Sequence, residues 1–149
     1  MTTATITQPK KVTLPQSITT GAIAGLGGGV LFGMLMGMMG MLPMVGMLVR
    51  QESAIVGFVV HLVISAILGA LYGFIAGRLP YTWTVGIVGG ATFGIIWWFL
   101  GALISMPLML GMNDMVMVIG QAQWMSLMGH MIYGIATGLL FVYLCKRLV

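Results

Sequence analysis

The sequence predicts an all-α polytopic membrane protein, a four-helix bundle built from two repeated transmembrane hairpins. Three observations carry that expectation. Of 149 residues, 60% are hydrophobic and only 5% are charged, with a mean hydropathy of +1.12. A soluble domain carries about a quarter charged residues, so this chain cannot cover a water-facing surface. The charges leave four long uncharged tracts, Val12–Val49, Ser53–Gly77, Leu79–Asn113 and Met115–Cys145. Each exceeds the roughly 20 residues a helix needs to cross about 30 Å of hydrocarbon. Finally, a glycine pattern in the first tract recurs in the third, and a histidine pattern in the second recurs in the fourth.

Backbone groups in hydrocarbon must be bonded within the protein, so the tracts should be helices, expected at 18–42, 54–77, 82–106 and 124–145. Residues 1–16, polar and rich in threonine, read as an exposed cytoplasmic lead, and 17–149 as a single membrane domain. Pro15 precedes Ser17, the expected N-cap of the first span. No small-residue cleavage pattern follows a short apolar region, so that span is expected to be retained. Pro43 and Pro107 should end or kink spans one and three, because proline lacks a donor and crowds the preceding turn. Arg78-Leu79-Pro80 makes a tight connection between spans two and three.

Basic residues set the orientation. Lys10, Lys11, Arg78, Lys146 and Arg147 fall on the N-terminal side, whereas Arg50 lies opposite with Glu52 and Asp114. That asymmetry places both termini in the cytoplasm. The sequence pI of about 9.7 follows from this anchoring. No basic stripe with interleaved aromatics is present, so nucleic acid is not an expected partner. Trp83 and Trp124 suit interfacial positions, whereas Trp97 and Trp98 fall mid-span. The single cysteine, Cys145, excludes an intrachain disulfide.

Gly25-x-x-Gly28-Gly29-x-x-Phe32-Gly33 is matched by Gly86-x-x-Gly89-Gly90-x-x-Phe93-Gly94. His61 with Gly69 and Arg78-Leu79 is matched by His130 with Gly138 and Arg147-Leu148. Two hairpins, about 18–79 and 82–149, should therefore be related by an axis along the membrane normal. Small residues also recur every four positions, which places them on one face of a helix. The packing ridges expected from this are Gly25, Gly29 and Gly33; Gly69 and Gly73; Gly86, Gly90 and Gly94; and Gly134 and Gly138. Lipid gives helices no hydrophobic reason to associate, so close backbone approach along such ridges supplies the packing.

Ionisable side chains inside spans are costly and face protein; here only His61 and His130 qualify. Their matching positions give them one depth, and if spans two and four are diagonal the imidazoles face each other. Three readings follow. Each neutral ring bonds a carbonyl or hydroxyl of a neighbouring helix, with Ser65 and Tyr133 as candidate partners, and fixes register. Alternatively, both ligate one haem b, giving an electron-transfer protein. Third, they join methionines in copper handling, since thioether and imidazole both suit copper. The chain holds 16 methionines, and apart from Met1 all fall in or near the outer halves of spans. Unbranched methionine also fills gaps and makes adaptable contact surfaces. No nucleophile–base–acid set and no phosphate loop occurs, so an enzyme is not expected.

The segments Gly46-Met47-Leu48, Gly57-x-x-x-His61, Met106-Pro107-Leu108-Met109 and Gly129-His130-x-x-Tyr133-Gly134 resemble the YagU-like and related domain-of-unknown-function families. These are small four-helix bacterial inner-membrane proteins. The resemblance runs from about Gly21 to Leu144 and implies a multi-pass protein of the bacterial cytoplasmic membrane. It carries no activity. The function expected is a non-catalytic accessory or scaffold subunit, with the lipid bilayer and other membrane subunits, or further copies of itself, as partners. No cofactor is assigned.

Overall fold

The computed structural model describes residues 12–149; Lys10, Lys11 and most of the expected lead lie outside them. The described residues form helices and connecting turns, with no strand among them.

Helix α1 (Leu14–Met38) begins before Ser17. Thr13 precedes it and donates its backbone N–H to Gln16 Oε1 at 2.9 Å, one half of a capping box. Ser17, expected as the cap, is buried within the helix, and its hydroxyl donates to the Gly73 carbonyl at 2.7 Å. Residues 14–16 thus belong to the helix and not to a lead. Its end is a Schellman arrangement: Gly40 takes φ +67°, and Met41 N–H donates to Met36 O at 2.9 Å. Pro43 therefore does not terminate α1. It sits in the first turn of a separate short helix, α2 (Leu42–Gly46), where a missing N–H breaks no bond.

A 3-10 turn at Met47–Val49 leads to α3 (Ala54–Ala76), which Ser53 caps from its side chain. Thr82 caps α4 (Trp83–Trp97), accepting from Val85 N–H at 3.2 Å. The helix then widens without a break into a π-helical stretch, Trp98–Ser105, and tightens again as α5 (Met106–Met109). Pro107 falls in the first turn of α5 and does not stop the chain. The last helix is α6 (Gln121–Leu148). Four stretches, Leu14–Met38, Ala54–Ala76, Trp83–Met109 and Gln121–Leu148, are long and apolar enough to cross a membrane.

The helices pack side by side in the order α3, α1, α6, α4; α3 reaches the far pair through side chains, Tyr72 standing edge-on to Phe93 of α4 at 5.2 Å and to Phe141 of α6 at 5.6 Å. Backbone approach sets the seams. A Cβ on Gly25 would lie 2.6 Å from Gly69 Cα, and one on Gly21 would lie 2.7 Å from Gly73 Cα. Both distances are shorter than carbon atoms tolerate, so a side chain at either position would part α1 from α3. On the other side Gly90 opposes Gly134 and Gly86 opposes Gly138. Gly29 meets the Ser65 side chain, Gly33 meets Phe58 and His61, and Gly94 meets the His130 backbone. The central seam, α1 on α6, differs: Gly28 faces the Tyr133 carbonyl, and the Phe32 ring lies flush over Gly129.

Candidate functional site

The imidazoles of His61 and His130 are brought to one region, where both border one cavity and both pack against Phe32. The ring of Phe32 contacts both, its centroid 5.3 Å from His61 and 4.9 Å from His130, in edge geometry with each. This follows from the seam just described. Glycine at position 129 removes the side chain that would otherwise hold Phe32 away, so the ring can lie against α6 and touch both histidines.

Each histidine has a different anchor. His61 Nε2 donates to the Gly29 carbonyl at 3.0 Å, across the α1–α3 seam. His130 Nδ1 donates to the Ser126 carbonyl of its own helix at 2.8 Å, with the Ser126 hydroxyl 3.3 Å away. The expected partners are thus replaced: Tyr133 donates its hydroxyl to the Ser65 carbonyl at 2.9 Å and so links α6 to α3 directly. A carbonyl can only accept, so in both neutral rings the bonded nitrogen carries the proton. The remaining nitrogens, Nδ1 of His61 and Nε2 of His130, each hold a bare lone pair.

Both rings border a cavity of about 430 Å³. It lies where the α3 and α4–α5 backbones stand apart, with Ile64 and Leu68 of α3 and Trp97, Gly101 and Ala102 of the α4–α5 stretch among its lining. Met36, Met41 and Met106 also reach it. The π-helical stretch shapes that wall. Its wider turns are held by Trp98, whose indole N–H donates to the Gln123 carbonyl at 2.9 Å, and by Ser105, whose hydroxyl donates to Leu100 O at 2.7 Å. π-helical turns often mark functional positions. Trp98 is buried and stacks on Trp124 with centroids 6.2 Å apart. Sequence reasoning did not find Phe32, Trp97, Gly101 or Gln123 as parts of this site. Phe32 stands in the duplicated glycine pattern and could have been singled out there.

The arrangement bears on two cofactors. Bis-histidine haem needs a porphyrin between two imidazoles aimed at one iron. The Phe32 ring packs against both imidazoles, and His61 Nε2 is already bonded to the Gly29 carbonyl, so in this arrangement that nitrogen is not free to ligate iron. Thioethers and imidazoles do meet in the cavity, yet its volume far exceeds what a single copper ion fills. No group of three or more His, Cys, Asp and Glu able to hold a metal occurs among the described residues. Cys145 is buried and unpaired, and Asp114 lies in a 3-10 turn.

At one end of the molecule the basic residues lie over aromatic rings: Lys146 Nζ is 4.6 Å from the Trp83 centroid, and the Arg78 guanidinium is 4.2 Å from that of Phe74. No protein-family model, curated protein sequence or solved structure matches this chain.

Proposed function

We propose that this chain is a non-catalytic, four-span protein of the bacterial cytoplasmic membrane, serving as an accessory subunit of a larger membrane assembly. Kinship with the YagU-like families is part of this proposal and rests on the Gly129-His130-x-x-Tyr133-Gly134 segment. Two repeated hairpins are also part of it. Their support is that contacts on one side recur at matching positions on the other: Gly25 with Gly69 and Gly86 with Gly138, Gly33 with His61 and Gly94 with His130.

The observation that carries the accessory role is the connection between α5 and α6. Met112, Met115, Met117, Val118 and Ile119 are all exposed there, on backbone that is not regular helix. Water disfavours those side chains, and hydrocarbon disfavours backbone groups that lack partners. A protein surface satisfies both. Methionine suits such a surface because its flexible thioether adapts to a partner's shape. The turn is nonetheless held in place, since Met117 N–H donates to Leu103 O and Met112 N–H to Pro107 O, at 3.0 and 2.9 Å.

Two expected outcomes test this reading. Purified from native membranes in mild detergent, the chain should carry other membrane polypeptides, and Val118→Asp with Ile119→Asp should release them without lowering helix content. Recovery of the chain alone from crosslinked native membranes would refute the role. Separately, single cysteines at Gln16 and Asp114 should be labelled from the cytoplasm and from outside, respectively. Cytoplasmic labelling of Asp114 would invert the topology and move the methionine-rich end to the other face.

A further inference from the structure

The geometry points to the cavity between α3 and the α4–α5 stretch as a binding site for a lipid-soluble aromatic molecule bearing hydroxyl groups, of the phenol or hydroquinone class. Three independent features select that chemistry. The first is size: about 430 Å³ falls within the range of small-molecule sites, roughly 300–1,000 Å³, and suits a substituted ring with the beginning of a chain. The second is the lining. Trp97, Phe32 and the thioethers of Met36 and Met106 border the space, and rings and thioethers both pack favourably on an aromatic guest.

The third feature is the polarity of the acceptors. Gly29 and Ser126 carbonyls fix the protons of His61 and His130 on the nitrogens that face them. Each ring therefore presents its lone pair through the other nitrogen. The only partnerless side-chain nitrogen or oxygen sealed within protein among the described residues is Thr137 Oγ1, so these imidazole nitrogens adjoin open space. A guest that only accepts hydrogen bonds, such as a quinone, finds no imidazole donor. A guest that donates from a hydroxyl finds two acceptors. Entry follows from the separation of the α3 and α4–α5 backbones, which meet through the Tyr72–Phe93 ring pair at 5.2 Å and stand apart beside the cavity: under the proposed membrane placement this gap opens sideways into hydrocarbon, the phase in which such a molecule dissolves. The inference rests on that placement for its route of entry and not for its acceptors.

Gly101 supplies the test. It borders the cavity, and a Cβ built on it meets nothing within 4 Å, so Gly101→Phe fills the space without striking the backbone. The full chain, reconstituted in lipid nanodiscs under anaerobic conditions, is titrated with 2-decylhydroquinone while tryptophan fluorescence is followed. Saturable quenching is expected, at least about tenfold tighter than for the 1,4-dimethyl ether of the same molecule, the factor one net hydrogen bond supplies. Gly101→Phe should abolish it with helix content and elution volume unchanged. His130→Phe should weaken the hydroquinone and leave the ether unaffected. Equal binding of hydroquinone and ether would mean an apolar guest such as an acyl chain and would overturn the proposal. So would binding that survives Gly101→Phe, or saturable Cu(I) binding lost in Gly101→Phe while the hydroquinone fails to bind. A wrong membrane orientation would show in the cysteine labelling and leave these titrations unchanged.

Discussion

Leucine in place of Gly90 is expected to separate α4 from α6 and to destabilise the chain by more than about 4 kcal/mol, the range reserved for severe backbone or core conflicts. A Cβ at this position strikes the Gly134 carbonyl oxygen and lies 2.8 Å from its carbon. Neither atom belongs to a side chain that can turn away, and the facing residue is itself a glycine, so relief requires the two helices to move apart. Neighbouring contacts then fail together, because Gly86 on Gly138 and Gly94 on the His130 backbone share the seam. Gly29→Leu should cost less, since its first obstacle is the Ser65 side chain at 2.5 Å. Gly101→Leu, with open space before it, and Leu31→Ile, on an exposed face, should lie within about 1 kcal/mol of wild type. Thermal unfolding followed by circular dichroism in nanodiscs gives the ranking. Equal losses at Gly90 and Gly101 would mean that glycine content, and not close approach, governs the effect.

The four long helices were legible in the sequence because charge-free tracts are a crude and strong signal, and their bounds differ from expectation by only a few residues. The turns at their ends were less so. Pro43 and Pro107 each read as an end or a kink; Pro43 falls in the first turn of α2, where the missing donor does no harm, whereas Pro107 lies within the continuous Trp83–Met109 helix, directly after its π-helical stretch. What ends α1 is Gly40 at positive φ, a local signal outweighed in the reading by the nearby proline. Ser17 has the chemistry of a cap and a plausible position for one. Its tertiary acceptor, the Gly73 carbonyl, is 56 residues away and invisible to local pattern. The π-helical stretch had little local signature, one support being the short-range bond of the Ser105 hydroxyl to Leu100 O. It depends on Trp98 reaching α6 through its indole N–H, and such a contact exists only once the chain has packed. Placement of His61 and His130 in one region was readable from their matched positions. The ring that touches both was not, because it comes from the glycine at 129 making room for Phe32.

That ring leads to the second large expected effect. Phe32→Ala should destabilise by about 3–5 kcal/mol, through the void it leaves and the two edge-on ring contacts it loses. The single hydrogen-bond deletions should be smaller. Tyr133→Phe removes the 2.9 Å bond to the Ser65 carbonyl, and interhelical bonds in membranes average only about 0.6 kcal/mol. His61→Ala loses both a bond to Gly29 and the contact with Phe32, so about 1–2 kcal/mol is expected. The order Phe32 above His61 above Tyr133 is thus set by packing outweighing polar anchoring. It can be read from unfolding midpoints of the purified variants, provided that wild type and variants share one lipid composition. A haem bridging the two histidines demands the reverse. The wild type would be coloured with a low-spin spectrum on reduction, either histidine-to-alanine change would abolish that spectrum, and Phe32→Ala would open room for the porphyrin instead of loosening the fold. A colourless wild type with Phe32→Ala as the weakest variant assigns the imidazoles to register and acceptor roles. A coloured wild type with the histidine variants weakest would return the site to redox chemistry.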